Sequence, residues 1–133
     1  NVEGCDPRYR FRWIGKRNTV YVFEAPIDML SFISMYQKGW MDHSYVALCG
    51  VAEHALMQLL NEAPHISQIA LCLDHDKAGI QARERIKKNL SERGYHMVFS
   101  LFSNLKDWNE DLQELKKPPP EYMNRQQTVI QMM

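Results

Sequence analysis

Tyr9, Phe11 and Trp13 alternate with Arg8, Arg10 and Arg12, the two-residue period of a strand with one face in a core. Gly15-Lys16-Arg17-Asn18 then turns the chain into Thr19-Val20-Tyr21-Val22-Phe23, a β-branched and aromatic run. Together these predict an N-terminal β-hairpin over residues 8–23. A helix is expected from about Pro26 to Lys38, with Pro26 in its first turn and Ile27, Leu30 and Ile33 as its core face. A short strand follows from Tyr45 to Leu48, ending at Cys49-Gly50. The next helix runs from Val51 to Glu62, with Ala55, Leu56, Leu59 and Leu60 on one side, and Pro64 breaks it. Ile69 to Leu73 reads as a buried strand, Ala78 to Arg93 as a long helix capped by Gly94, and His96 to Leu101 as a further strand. A last helix from Asp107 to Lys117 is stopped by Pro118-Pro119-Pro120. Such alternation implies an α/β fold: a mostly parallel central sheet, right-handed crossovers and helices on both faces. Residues 1–117 read as one domain, and residues 118–133 as a Pro-bounded C-terminal tail or linker.

The 133 residues, 45% hydrophobic and 24% charged, suffice for a single core that needs no disulfide. A formal net charge of zero excludes a global basic field for nucleic acid, so any such contact is local or shared with other parts of a longer protein. No stretch approaches the ~20 apolar residues of a membrane span. The chain does not begin with Met and shows no signal-peptide pattern, and it reads as a piece of a larger parent protein with other domains. Three cysteines, Cys5, Cys49 and Cys72, with no Cys-x-x-Cys pair, argue against structural zinc and a disulfide scaffold. A reduced, cytoplasmic setting is the simplest expectation.

The candidate chemistry lies in Leu71-Cys72-Leu73-Asp74-His75-Asp76-Lys77-Ala78-Gly79. An apolar strand stops at two carboxylates one residue apart, and acids at i and i+2 leave a strand end in nearly the same direction. Either the pair holds a hard cation through oxygen ligands, or it is a polar strand-to-helix turn with one N-capping Asp. The strand Thr19–Phe23 likewise ends at Glu24, with Asp28 on the first turn of the following helix. In an open parallel sheet, ligands bind at the carboxyl ends of the strands. Glu24, Asp28, Asp74 and Asp76 are therefore expected in one patch, whose mutual repulsion calls for a cation.

Other charged residues have two readings each. Arg8, Arg10, Arg12, Lys16 and Arg17 are either a nucleic-acid strip or the charge that protects an edge strand. Lys77 and Lys106 either contact phosphate or balance the acids. Arg83, Arg85, Lys87, Lys88 and Arg93, interspersed with Glu84 and Glu92, read as a solvated helix face. His75 should point away from its neighbours and is not counted as a ligand. Trp108 is expected as a core anchor.

The motifs Glu24-Ala25-Pro26-Ile27-Asp28 and Asp74-His75-Asp76-Lys77-Ala78-Gly79 resemble those of the TOPRIM domain, a Rossmann-like module of primases, topoisomerases, nucleases and recombination-repair proteins. The segment Lys106-Asp107-Trp108-Asn109-Glu110-Asp111-Leu112 is similar to the Lys-Asp-Pro-Asp-type segment that closes the metal site of bacterial primases. The resemblance covers roughly Gly4 to Leu115 and is nearest to TOPRIM modules of plasmids and integrative elements of Gram-positive bacteria. Ala25 stands where many members have Gly, and Asn109 where primases often have Asp; the second change bears on a further cation.

The resemblance implies Mg²⁺ or Mn²⁺ held by Asp74 and Asp76, with Glu24 as a further ligand or general acid/base and Asp28 and Asp107 as the outer part. Glu24, Asp74 and Asp76 are then the catalytic candidates. The implied activity is primase-like nucleotidyl transfer on DNA of a mobile element, with a metal-dependent nuclease or a non-catalytic metal- or nucleic-acid-binding assembly module as alternatives. A haloacid-dehalogenase pattern is not met by Lys77-Ala78-Gly79, and a receiver domain does not account for Glu24.

Overall fold

The computed structural model describes residues 11–49 and 53–118. Its elements in chain order are β1 (Arg12–Trp13), β2 (Thr19–Phe23), α1 (Pro26–Met35), a 3-10 turn (Trp40–Asp42), β3 (Ser44–Ala47), α2 (His54–Glu62), β4 (Gln68–Leu71), α3 (Lys77–Glu92), β5 (Met97–Ser100) and α4 (Trp108–Lys116). Tyr9, Arg8, Arg10 and Cys5, the expected start of α2 at Val51, and the tail beyond Pro118 lie outside the described residues. Among the described residues no helix is long and apolar enough to cross a membrane.

The strands form one five-stranded sheet in the order β1-β3-β2-β4-β5. β2 pairs in parallel with both β3 and β4, and β5 pairs in parallel with β4. This is the mixed α/β, mostly parallel sheet expected from the alternation of elements. The expected hairpin is corrected: β1 pairs antiparallel with β3, placing Arg12 opposite Val46 and Trp13 opposite Tyr45. Both edges of β2 are taken by parallel partners, so β1 joins at an outer edge of the sheet, beside β3. The connecting segment crosses beneath β3. Gly15 donates its N–H to Ser44 Oγ (3.0 Å), and Arg17 donates its N–H to the Asp42 carbonyl (2.8 Å). A side chain on Gly15 would collide with the Asp42 and His43 backbone. The two-residue period reported a strand correctly but carried no information on its partner.

The strands alternate between two cores, as a sheet covered on both faces must. On one face Val20, Val22, Val46, Ile69, Leu71 and Leu73 pack with Leu56, Leu59 and Leu60 of α2 and Ile86 and Leu90 of α3. On the other, Phe23, Tyr45, Ala47, Ala70 and Cys72 pack with Met29 and Phe32 of α1 and Trp108 of α4. Trp108 is the expected core anchor; its indole N–H donates to the Cys72 carbonyl (2.9 Å) and its ring meets Phe32 edge-on.

Two further expectations are corrected. Ile27 and Leu30 are 55% and 57% exposed, while Asp28, Met29, Ser31 and Phe32 face inward. α1 is rotated so that its buried face carries a carboxylate into the site. Cys72 is free and buried, but Cys49 is disulfide-bonded, against the expectation of a reduced chain.

Candidate metal centre

The site forms where β2 and β4 end and where α1, α3 and α4 begin. β4 delivers Asp74, which follows the apolar run through Leu73. α3 then starts at once, and Asp76 caps it by accepting from the Gly79 N–H (2.7 Å). Gly79 is required at this position. A Cβ there would overlap the Asp74 carbonyl oxygen, so a larger residue would drive α3 off the strand end. Asp28 enters from the first turn of α1. Asp107 enters from the N-cap of α4, where its Oδ1 accepts from the Glu110 N–H (2.8 Å).

Carboxylate oxygens of Asp28, Asp74 and Asp107 all lie within 4.8 Å of one another. Asp28 is 4% exposed, and its Oδ1 accepts from the Asn109 backbone N–H (3.2 Å). The Asp74 Oδ1 is buried with no hydrogen-bond partner. Burial pushes Asp74 up to about 7, with the charges of Glu24, Asp28, Asp107 and Asp76 adding to it. Burial likewise raises Asp28 to about 6, against the Asn109 N–H and helped by Asp107, Glu24 and Glu110. An oxygen-rich cluster with an unspent buried lone pair and carboxyls reluctant to ionise has the donor chemistry of a site for a hard divalent cation.

The expected residues are therefore grouped differently from the sequence reading. Asp28 and Asp107, assigned to the outer part, join Asp74 at the centre. Glu24 stands beside them as the strongest charge acting on Asp74. Asp76 caps α3 as Asp107 caps α4, but it is not among the three carboxylates that converge. The capping alternative describes one of the two acids, Asp76. Lys77 and Lys106 are exposed on either side. Arg12 is ion-paired with Glu62, away from the carboxylates. His75 points elsewhere: its Nδ1 donates to the Ser103 carbonyl (2.9 Å), and its ring lies against Phe102.

Two site-building residues escaped the sequence reading. Arg83, expected in solvent, is 3% exposed. Its Nη1 donates to the Leu71 carbonyl (2.6 Å) and its Nη2 to those of Leu73 (2.6 Å) and Leu101 (2.8 Å), while Phe102 covers the guanidinium with its ring centroid 4.1 Å away. The Arg thus ties together the carboxyl ends of β4 and β5. The signal was present: Gly79, Arg83, Ile86 and Leu90 share one helical stripe. Asp111 accepts from the N–H groups of Asn104 (2.9 Å) and Leu105 (2.8 Å) and so shapes the loop that presents Asp107.

A Toprim-like family profile matches residues 21–112, the span that contains every member of the cluster. The chain belongs to the Toprim-like family. Similar sequences include the "Uncharacterized protein MG010 homolog" of Mycoplasma pneumoniae, 32% identical over 94 residues, covering 70% of this chain and 42% of that protein. The corresponding protein of Mycoplasma genitalium is 30% identical over 97 residues, covering 71% and 42%. This TOPRIM chain thus spans about two fifths of the length of the curated relatives it matches. Similar solved structures include the primase fragment of the bacteriophage T7 primase-helicase protein, with TM-score 0.55, 24% identity, and coverage of 77% of this chain and 41% of that one. Another is the T7 lagging-strand DNA polymerase interacting with primase domains of two gp4 subunits bound to an RNA/DNA hybrid and dTTP. It has TM-score 0.57, 22% identity, and coverage of 77% and 50%. These likenesses establish the TOPRIM fold.

Proposed function

We propose that this TOPRIM domain serves divalent-cation-dependent nucleotidyl or phosphoryl transfer on nucleic acid, in primase-like fashion, within a larger DNA-processing protein. The observation that carries the reading is the convergence of Asp28, Asp74 and Asp107 within 4.8 Å at the carboxyl ends of parallel strands in a Toprim-like chain. Those three would hold Mg²⁺ or Mn²⁺. The bound cation would polarise a phosphoryl oxygen and orient an incoming hydroxyl.

Glu24, adjacent to the cluster, would serve as a further ligand or exchange a proton with the attacking or leaving oxygen. Asp76 retains one carboxylate oxygen for a water-mediated contact or a second ion. Lys77 and Lys106 flank the acids and suit the phosphates of a bound strand; Arg8 and Arg10 are proposed to extend that contact, with Arg12 contributing less because Glu62 holds it. Arg83 and Gly79 fix the backbone from which Asp74 projects.

The primase reading draws support from the Lys106-Asp107 segment, which resembles primases more than topoisomerases, and from the primase structures among the fold neighbours. A cytoplasmic setting on a plasmid or integrative element belongs to the same proposal and rests on the sequence resemblance. Hydrolysis of nucleic acid needs the same carboxylates, and the assay must separate the two. Calorimetric titration with Mn²⁺ should show binding that Asp28→Asn, Asp74→Asn and Asp107→Asn each weaken at least about tenfold. The parent protein should then extend a template into primers with Mg²⁺, without cleaving the template. Unchanged affinity in all three variants would remove the metal site, and template cleavage without synthesis would make the protein a nuclease.

A further inference from the structure

We propose that the groove between α1 and α4 is a second binding site, for a nucleobase, separate from the carboxylate cluster. Toward the C-terminal end of α1 and beside the first turn of α4, a cavity of about 440 Å³ opens against the sheet. That volume lies within the roughly 300–1,000 Å³ of small-ligand sites. Its floor is Tyr21 of β2 and Tyr45 of β3, stacked with ring centroids 5.5 Å apart and 20° between planes. Its walls are Phe32 of α1, Tyr36 just beyond that helix, Trp108 of α4, and Trp40 of the 3-10 turn. With Phe102, seven aromatic side chains line the cavity and offer planar faces on several sides.

The polar groups of the groove decide between occupants. His43 lines it, and its Nδ1 is buried with no hydrogen-bond partner. Burial raises the Tyr21 phenol and raises that of Tyr45 to about 12, so both hydroxyls keep their protons at any physiological pH. Among the described residues neither hydroxyl has a hydrogen-bond partner. An apolar side chain inserted here would seal the two hydroxyls from water unpaired, at a cost of about 1–3 kcal/mol each, and would leave the His43 nitrogen without a partner. A nucleobase meets both demands: it stacks on aromatic faces and carries donors and acceptors around its edge. Lys38 lines the same groove, is exposed and forms no ion pair among the described residues, and so offers a cation to the phosphate of a nucleotide carrying that base. A free nucleotide and one unstacked base of a single strand share this chemistry.

Saturation-transfer difference NMR tests the site on the whole 133-residue chain. The probes are AMP, CMP, GMP and UMP, and a short single-stranded oligonucleotide. EDTA is present throughout, so the outcome is independent of the metal reading. Saturable transfer is expected, stronger to base than to ribose protons, with a saturable shift of the Trp40 indole N–H. Tyr36→Ala, at an exposed wall position, and His43→Phe should each weaken binding about fivefold, while Glu92→Gln on the far surface of α3 should leave it unchanged. Tighter binding of the oligonucleotide than of any mononucleotide assigns the pocket to a strand, and the reverse assigns it to free nucleotide; either supports the proposal. Absence of saturable transfer from every probe, or binding unaltered in both groove variants while circular dichroism reports intact folds, overturns it. So does occupation by an apolar dye that no nucleotide displaces, which would make the groove a protein-docking surface.

Discussion

Arg83 Nη2 donates to the carbonyl oxygen of Leu73 at 2.6 Å, one residue before the carboxylate at the centre of the site. The same guanidinium bonds the Leu71 and Leu101 carbonyls, so one side chain sets the spacing of two strand ends. Arg83→Ala leaves three carbonyls and a cavity, and should cost about 3 kcal/mol in urea unfolding. Arg85→Ala, two residues on and ion-paired with Glu53 at the surface, should cost less than about 1 kcal/mol. Equal losses would mean that Arg83 is not the brace.

Gly79→Ala should destabilise, although Ala normally favours a helix over Gly by about 1 kcal/mol. The added methyl meets the Asp74 carbonyl oxygen, and relief requires α3 to shift. A loss of about 2 kcal/mol or more is expected, together with weakened Mn²⁺ binding. A stabilised Gly79→Ala variant would contradict the packing of α3 on the end of β4.

Asp28 and Asp74 sit at about 6 and about 7 in the fold, against 3.8 in the open chain. The folded state therefore binds more protons than the unfolded state between about pH 4 and pH 7, and metal-free stability falls as pH rises through that window. The loss is complete above about pH 7. Thermal unfolding in EDTA should show Tm declining from about pH 4 to pH 7, with Asp74→Asn flattening the slope. Mg²⁺, which favours the ionised carboxylates, should raise Tm more at the alkaline end.

Asp76→Asn keeps an N-cap residue and should fold almost as stably as the parent. Its Mn²⁺ affinity should drop by less than about tenfold, because Asp76 is peripheral to the three converging carboxylates. Calorimetry comparing Asp76→Asn with Asp74→Asn reads the difference directly. A larger loss for Asp76→Asn would restore the strand-end pair as the principal ligands.

Lys77→Ala and Lys106→Ala should reduce the Mg²⁺-dependent part of single-stranded DNA binding more than Lys87→Ala. All three should show some salt-sensitive loss, since every lysine contributes nonspecific attraction. Fluorescence anisotropy with and without Mg²⁺ at two salt concentrations separates the two components, and equal losses would detach the flanking lysines from the cluster.

Element order and strand-end acids were legible because both are local: apolar periods of two and 3.6 residues mark the elements, and Asp74 ends its strand in plain view. Long-range relationships were not. The partner of β1 depends on which edges β2 has left open, which no run of residues near Arg12 encodes. The inward face of α1 was misjudged because Asp28, Met29 and Phe32 include a carboxylate, and a hydrophobicity rule assigns such a residue to solvent. Arg83 was misjudged for the same reason, since its charge outweighed its place on the Ile86–Leu90 stripe. Where a polar residue interrupts an apolar face, the site lies behind it.

Asp107 caps α4 while its carboxylate meets Asp28 of the first helix and Asp74 of the middle strand. The cluster is assembled from the beginning, centre and end of the domain. During synthesis no partial chain can present all three ligands; a ribosome must release residues beyond Asp111, which shapes the Asp107 loop, before the carboxylates can converge. Cation uptake would then mark the completion of the domain, and a polypeptide interrupted before α4 would carry two acids with no third to join them.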